Sequence, residues 1–470
     1  MAAAGLLAAG ALALSAGPAR AEPANRAQAR LAPGPGEWWF AGWRVQQAVW
    51  PLAQGAGVTV AVIDSGVQAS LPDLRGVVLA GGDMTGAGDR GDTDGNVSID
   101  GHGTEVAALI AGQGTGHGVL GIAPRARILP VRIGDSGTDS LLVVANAIRF
   151  AVRHGAQVIN MSFGSAVASP AACDPVVQAA IAYALGRDVI VIAAAGDNVL
   201  IRGPVEPASC PGVLAVGGVE PDGSLWRGST REPYVAVTAP GDHIAFEGRD
   251  GRYSTRAWGT SFSAPLVAAT AALIRSRYPH MPWYQVDQRL IDTAIPAARP
   301  VPDGGYGYGI VDPARAVNAQ AYPVRASAPD PVRASFAAWL ATPQARALRG
   351  QYRLPARPAA STAALSRRPA VGGALQAGLT LQEIVITGAA AVCVFLAVLV
   401  LVLKMPSRRR LPRRRGARRR PRGRHDRRLV AAAAFPPPRV HGSWEESGVP
   451  AYGPPPPPWT ESPYDPSGWR

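Results

Sequence analysis

Cysteine is scarce. Cys173, Cys210 and Cys393 are the only three in 470 residues, too few to staple a fold throughout, so stability has to come from a buried core. Lysine is rarer still: Lys404 stands alone, and arginine carries nearly all the positive charge. No internal repeat is visible, which argues against solenoids and arrays. Metal-ligand spacing is also missing. His117, His154, His243 and His280 are scattered and read as structural or exposed histidines, so neither metal nor cofactor is expected. The loop carrying Asp83, Asp89, Asp92 and Asp94 has carboxylates enough for Ca²⁺, but its interleaved Gly and Thr read as solvated turns.

What is abundant is unevenly placed. Pro and Gly make up about a fifth of the chain and crowd both ends, whereas positions 55 to 320 are dense apolar runs cut by turn residues. One folded domain is expected there, with a 22–54 extension before it and an Ala/Pro-rich linker over 321–383. The formal charge of +14 is skewed in the same way. From Lys404 to Arg470 there are 16 basic and 5 acidic residues, leaving 31 against 28 for the rest. The folded part is near neutral, and a nucleic-acid partner is not expected.

Residues 1–21 read as a secretory signal: an Ala/Leu run, then Ala19-Arg20-Ala21 before Glu22, although no basic residue precedes the run. Ile384 to Leu403 is an uncharged stretch of twenty residues, long enough to cross a bilayer as a helix. Arginines crowd its far side, which by the positive-inside rule leaves 404–470 as a cytoplasmic tail. A lipid-headgroup role for that tail is more economical than nucleic-acid binding, and its Pro-rich stretches suit an adaptor surface. The expected placement is a single-pass protein of the cell membrane with its folded part outside the cytoplasm. Cys393 falls in the spanning stretch; Cys173 and Cys210 fall in the exported part, where they pair if the fold brings them together and otherwise remain buried thiols.

Strand signals are continuous rather than alternating: Val58 to Ile63, Ile128 to Ile133, Val158 to Met161, Val189 to Ala194, Val213 to Val216 and Val235 to Thr238. Such runs suit strands buried on both faces. Helix-period stretches lie between them, at Glu105 to Ile110, Ser140 to His154 and Val176 to Leu185, each followed by a glycine. Ser263 to Tyr278 and Pro282 to Ala294 read as two later helices, the first buried and with Pro265 in its first turn. The alternation predicts an α/β fold, a parallel sheet with right-handed crossovers and helices on both faces.

Three short segments carry chemistry. Asp64 ends a buried strand in Val60-Ala61-Val62-Ile63-Asp64-Ser65-Gly66, and catalytic groups gather at such carboxyl ends. His102 stands between glycines at a helix mouth, and Ser261 opens a buried helix in Gly259-Thr260-Ser261-Phe262-Ser263-Ala264-Pro265. Singly each has a bland explanation as a turn cap, a core histidine or a helix start. Jointly they suit acyl transfer: Ser261 as nucleophile, His102 as general base and then acid, Asp64 as the carboxylate fixing the imidazole.

In order and motif these segments resemble the subtilisin family of serine proteases. The Trp-rich extension with Trp38, Trp39, Trp43 and Trp50, the ending Tyr306 to Pro313 and the single spanning segment resemble the mycosins, proteases associated with type VII secretion in actinobacteria. The resemblance implies a subtilisin-like three-layer fold plus one C-terminal transmembrane helix, peptide substrates, and a possible type VII membrane complex as partner. It also implies a substrate-binding strand at Ser162, Phe163 and Gly164, an opposite wall near Gly134 to Gly137, and a Cys173–Cys210 disulfide. One position departs from the pattern. Where the family places an oxyanion-binding Asn, this chain has Asp197 followed by Asn198. Three readings are open: Asn198 shifts in, Asp197 is protonated, or the enzyme is slow. A structural subunit with little or no required proteolysis is the competing function.

Overall fold

The computed structural model describes residues 32–352 apart from 97–100, 116–117, 135–139, 170–172, 199–202, 298–300 and 326–327. Eleven strands are described: β1 (Thr59–Asp64), β2 (Gly82–Asp83), β3 (Arg127–Arg132), β4 (Val158–Met161), β5 (Ser165–Ala166), β6 (Ile190–Ala194), β7 (Val205–Glu206), β8 (Leu214–Val219), β9 (Val235–Pro240), β10 (Ile244–Glu247) and β11 (Tyr253–Ala257). Helices α1 (Trp39–Gly42), α2 (His102–Ala111), α3 (Leu141–Arg153), α4 (Pro175–Leu185), α5 (Thr260–Arg277), α6 (Trp283–Asp292), α7 (Pro313–Val317), α8 (Pro331–Leu340), α9 (Pro343–Ala347) and α10 (Arg349–Tyr352) complete the set.

Seven strands form one sheet in the order β2-β3-β1-β4-β6-β8-β9, and every pairing in it is parallel. Parallel pairing requires a crossover after each strand, and the apolar runs allow both sheet faces to be covered. Strands β4, β6, β8 and β9 are buried along their whole length. Helices α2 and α5 pack on each other, α3 and α4 likewise, and all four contact the sheet. Hence Asp64, Asp83, Arg132 and Met161 end their strands on one rim, where the register pairs Asp64 with Arg132 and Ile63 with Met161. That rim carries Asp64, one of the expected site residues.

The predicted helices and strands all form, with their bounds moved by one to three residues. Helices α2 and α5 both begin three residues early, and the start of α5 at Thr260 puts Pro265 in its second turn rather than its first. It is apolar nearly all round, as a helix in a sheltered layer must be. Of the three glycines expected to cap helices, only Gly155 takes the left-handed conformation, at φ +83°. Gly186 keeps helical angles and Asp188 turns left-handed instead.

Both flanks of the domain are more structured than the sequence suggests. Trp39, Phe40, Val45 and Val49 of the 22–54 extension are buried in the main core. The 321–383 segment, expected as a linker, instead forms α8, α9 and α10 over 331–352. Phe336 stacks on Trp339 and meets Trp283 edge-on, and Ser335 Oγ accepts from the Gly212 N–H at 3.1 Å. Docking of this kind stabilises by burying two aromatic faces, which a helix of ten residues needs because it is marginal on its own. No helix among the described residues is long and apolar enough to cross a membrane, and 384–403 lies outside them, as do 1–31 and 404–470. Cys173 and Cys210 form a disulfide across 37 positions, tying the α4 entrance to the loop after β7. Closing a loop of that length stabilises by roughly 3 to 4 kcal/mol in a chain-entropy account.

The extension is held by an acid cluster. Glu37 accepts from the Leu120 N–H at 2.9 Å and from the Gly34 N–H, and the Tyr253 hydroxyl donates to the Pro35 carbonyl. Burial pushes the Glu37 carboxyl up to about 8, against those two hydrogen bonds and with help from the charge of Asp73. Burial, then a shared hydrogen bond and the charge of Asp73, push Glu247 to about 8 as well. A neutral acid of this kind contributes stability that is complete below the ordinary value of 4.5 and is lost as pH rises through about 8. Urea midpoints should therefore fall across that window. Glu247→Gln, neutral at every pH, should flatten the fall, and an unchanged slope would remove the cluster as its cause.

Candidate active site

Asp64 and His102 meet first. Asp64 Oδ1 lies 2.9 Å from His102 Nδ1 and also accepts from the Ser65 N–H at 2.8 Å. His102 is the first residue of α2, and the helix can start that close to β1 only because Gly103 has no side chain: a Cβ there would sit 2.0 Å from the Gly66 carbonyl oxygen. Burial makes the imidazole less basic, but the carboxylates of Asp64, Glu105 and Asp94 outweigh it and hold the ring up to about 9. His102 Nε2 makes no hydrogen bond among the described residues and remains available.

Ser261 is the second residue of α5. Its hydroxyl donates to the Ser162 carbonyl at 2.9 Å, and no bond to His102 is made among the described contacts. The Phe262 ring next to it nonetheless lies edge-on to the His102 ring, with centroids 5.9 Å apart. Pro265 explains how Ser261 is pinned. A proline has no N–H to give to the carbonyl four residues earlier, which is that of Ser261. Ser162 Oγ fills the vacancy, donating to the Ser261 carbonyl at 2.8 Å, and is itself held by Asn160 Nδ2 at 2.9 Å. Reciprocal bonds thus join Ser162 to Ser261. Beyond it, Phe163 and Gly164 make no backbone hydrogen bond among the described residues, as a strand awaiting a peptide would require. Of the expected opposite wall only Gly134 is described.

Asp197 and Asn198 take different places. Asn198 Nδ2 reaches the Ser229 carbonyl at 3.4 Å and its Oδ1 accepts from Thr230 Oγ1 at 3.4 Å, so its side chain belongs to the 228–230 loop. Asp197 Oδ1 accepts from the Thr260 N–H at 2.9 Å and from Thr260 Oγ1 at 2.7 Å. Asp197 therefore sits at the α5 N-terminus, bonded to the residue before Ser261. Burial pushes its carboxyl upward, against the Thr260 hydrogen bonds and the charge of His102.

Asp94 is a correction. Expected in a solvated turn, it is buried and accepts from Ser65 Oγ at 2.8 Å, Asn96 N–H at 3.0 Å, Thr104 N–H at 2.9 Å and Thr104 Oγ1 at 2.6 Å. Ser65 Oγ in turn accepts from the Gly103 N–H at 3.0 Å. One carboxylate thus joins the segments bearing Asp64 and His102. Its place is set by where Ser65 and Thr104 lie in space, not by their spacing in sequence. Asp83 and Asp89 behave as expected for turns, closed on Thr85, Gly88 and Gly91, with Arg132 paired to Asp89 at 2.8 Å.

Among the described residues, two clusters could hold a metal by distance. One contains Cys173 and Cys210, whose sulfurs are spent on the disulfide. The other, Glu220, Asp242 and His243, lies at the surface. His154 stacks on Phe150 and His280 is exposed, while His117 lies outside the described residues.

Comparison with known proteins agrees with this geometry. Residues 55–309 match the Subtilase family, Peptidase_S8. The thermostable alkaline protease of Halalkalibacterium halodurans is 37% identical over 56% of this chain and 68% of its own length. Mycosin-3 of Mycobacterium tuberculosis is 33% identical over 54% of this chain and 66% of its own. The crystal structure of MycP1 with its N-terminal propeptide removed is 32% identical, with a TM-score of 0.53 over 60% of this chain and 97% of that one. With a family match over more than half its length and relatives that are themselves serine proteases, the chain belongs to the subtilase family and is a subtilisin-like, mycosin-type serine protease.

Proposed function

We propose that this protein is a membrane-anchored, extracytoplasmic endopeptidase whose triad is Asp64, His102 and Ser261. The carrying observation is the 2.9 Å Asp64–His102 bond, which fixes the Nδ1–H tautomer and leaves Nε2 free, with Phe262, the residue after Ser261 on α5, edge-on to the imidazole. For the reaction the Ser261 hydroxyl leaves the Ser162 carbonyl for another staggered rotamer and donates to His102 Nε2. Its oxygen then bonds to the scissile carbonyl carbon, the hydroxyl proton moves to Nε2, and the carbonyl π pair moves onto oxygen. Collapse expels the amine, which takes that proton, and water repeats the sequence on the acyl-enzyme. An extended peptide lies along Phe163 and Gly164.

The anchor is the 384–403 segment, oriented by the arginines that follow, and export rests on the 1–21 signal. A disulfide in the catalytic body suits an oxidising exterior. MycP3 is described as a protease from the type VII ESX-3 secretion system, and likeness to it supports substrates exported by such a system. Tethering raises the effective concentration of substrates emerging nearby.

A second reading, a structural subunit of the secretion complex, is favoured by the Ser261 hydroxyl's engagement with Ser162 and by Asp197. Two measurements separate them. A fluorophosphonate probe should label Ser261 of the full chain in membranes and fail to label Ser261→Ala. Secretion that survives Ser261→Ala but is lost on deletion of the whole chain would leave only the structural role.

A further inference from the structure

We propose that Asp197, as a neutral carboxylic acid, is the side-chain donor of the oxyanion hole, its Oδ1 anchored to Thr260 and its Oδ2–H facing the developing oxyanion together with the Ser261 N–H. The proposal rests on the protease reading above. Geometry supports it in three ways. Asp197 Oδ1 is fully used by the Thr260 N–H at 2.9 Å and the Thr260 hydroxyl at 2.7 Å, which fixes the carboxyl plane and leaves Oδ2 unbonded among the described residues. Oδ2 and the Ser261 N–H open onto one space. The point where Gly259 lacks a Cβ is 3.0 Å from Oδ2 and 3.8 Å from Ser261 N, and that N–H has no partner among the described residues. The neighbouring Asn198, the alternative donor, is turned away to Ser229 and Thr230.

The charged group that faces Asp197 is His102 of α2; Thr260 from α5 and Ser229 from the adjoining loop are neutral. Burial favours the protonated carboxyl, and His102 opposes it. An ionised carboxylate here would repel the oxyanion, whereas the acid donates to it and keeps its proton throughout the step. The catalytic state therefore needs His102 without its proton and Asp197 with one. His102 holds a proton up to about 9, so between the two ionisations the pair shares a single proton, and the productive arrangement is the minor one. Above about 9 that proton is lost as well.

The sign of the pH dependence follows. In the wild type kcat/KM is bell-shaped, with a descending limb near pH 9. In Asp197→Asn the amide donates at every pH, so the descending limb disappears and kcat/KM climbs to a plateau. Asp197→Ala has no donor and should plateau about 10²- to 10³-fold below Asp197→Asn.

The test is kcat/KM of the full-length protein in detergent against a fluorogenic peptide from pH 5 to 11 for all three forms, with fluorophosphonate labelling of Ser261 in parallel. A wild-type bell that becomes a rising plateau in Asp197→Asn supports the proposal. A wild type that climbs and stays high, or an Asp197→Asn profile identical to it, overturns the donor role while labelled Ser261 leaves the protease reading standing. A wild type with no labelling and no turnover at any pH overturns both.

Discussion

Replacing His102 with alanine should lower kcat by about a million-fold, the loss typical of removing the base from a Ser-His-Asp unit. Nothing else among the described residues can take the Ser261 proton: the hydroxyl's only described partner is the Ser162 carbonyl, an acceptor with no basicity to speak of. Removal of the imidazole also strands Asp64. Its Oδ2 is already buried without a partner, and Oδ1 would keep only Ser65. Such a charge costs stability when its partner is deleted. His102→Ala should thus show two separable effects, near-complete loss of turnover and a modest fall in the urea midpoint. His102→Gln, which can still donate to Asp64, should recover the midpoint and not the turnover. Turnover within a hundred-fold of the wild type in either variant would remove His102 as the base.

Asp94→Ala should cost about 3 kcal/mol and lower kcat far more than it changes KM. Its four donors include two backbone N–H groups, those of Asn96 and Thr104, which cannot rotate away. Each buried donor left unsatisfied costs roughly 1–3 kcal/mol, moderated here because the Thr104 N–H is shared with the Gly101 carbonyl. The kinetic effect comes through Ser65, which relays Asp94 to the Gly103 N–H beside His102. A drift of about 1 Å between Asp64 and His102 is enough for about a hundred-fold. Asp94→Asn keeps the acceptor toward Asn96 and should recover part of both. A stability loss with kcat untouched would make Asp94 a turn residue and nothing more.

The two effects mark what the sequence discloses. Asp64, His102 and Ser261 are legible because each sits at an element end bounded by small residues, a local pattern. The strands are legible for a similar reason, since burial on both faces writes itself as uninterrupted Val, Ile and Ala. Asp94 is not legible, because an Asp among Gly and Thr looks the same whether solvent or Ser65 and Thr104 surround it. The hairpin β10–β11 and the short pair β5–β7 escape for lack of a long apolar run. Helix α8 escapes because its stability lies in where Phe336 and Trp339 land, and composition is silent on landing sites. The choice between Asp197 and Asn198 is likewise geometric: adjacent residues on a turn face opposite ways, and only the Ser229 and Thr260 contacts decide which way.

Helix α8 and its continuation shorten a leash. With residues through 352 committed to the catalytic body or its docked helices, 31 residues separate that body from position 384, where 63 would separate it if the chain were free from 321. Whatever their conformation, 31 residues span at most about 110 Å, half the radius that the longer stretch would allow. If 384–403 spans the bilayer, that length is the outer limit of the tether, and the shell it defines is half as deep as the longer stretch would make it. Selectivity in such a shell is partly a matter of address: a peptide bond beyond that radius is spared however well its sequence fits.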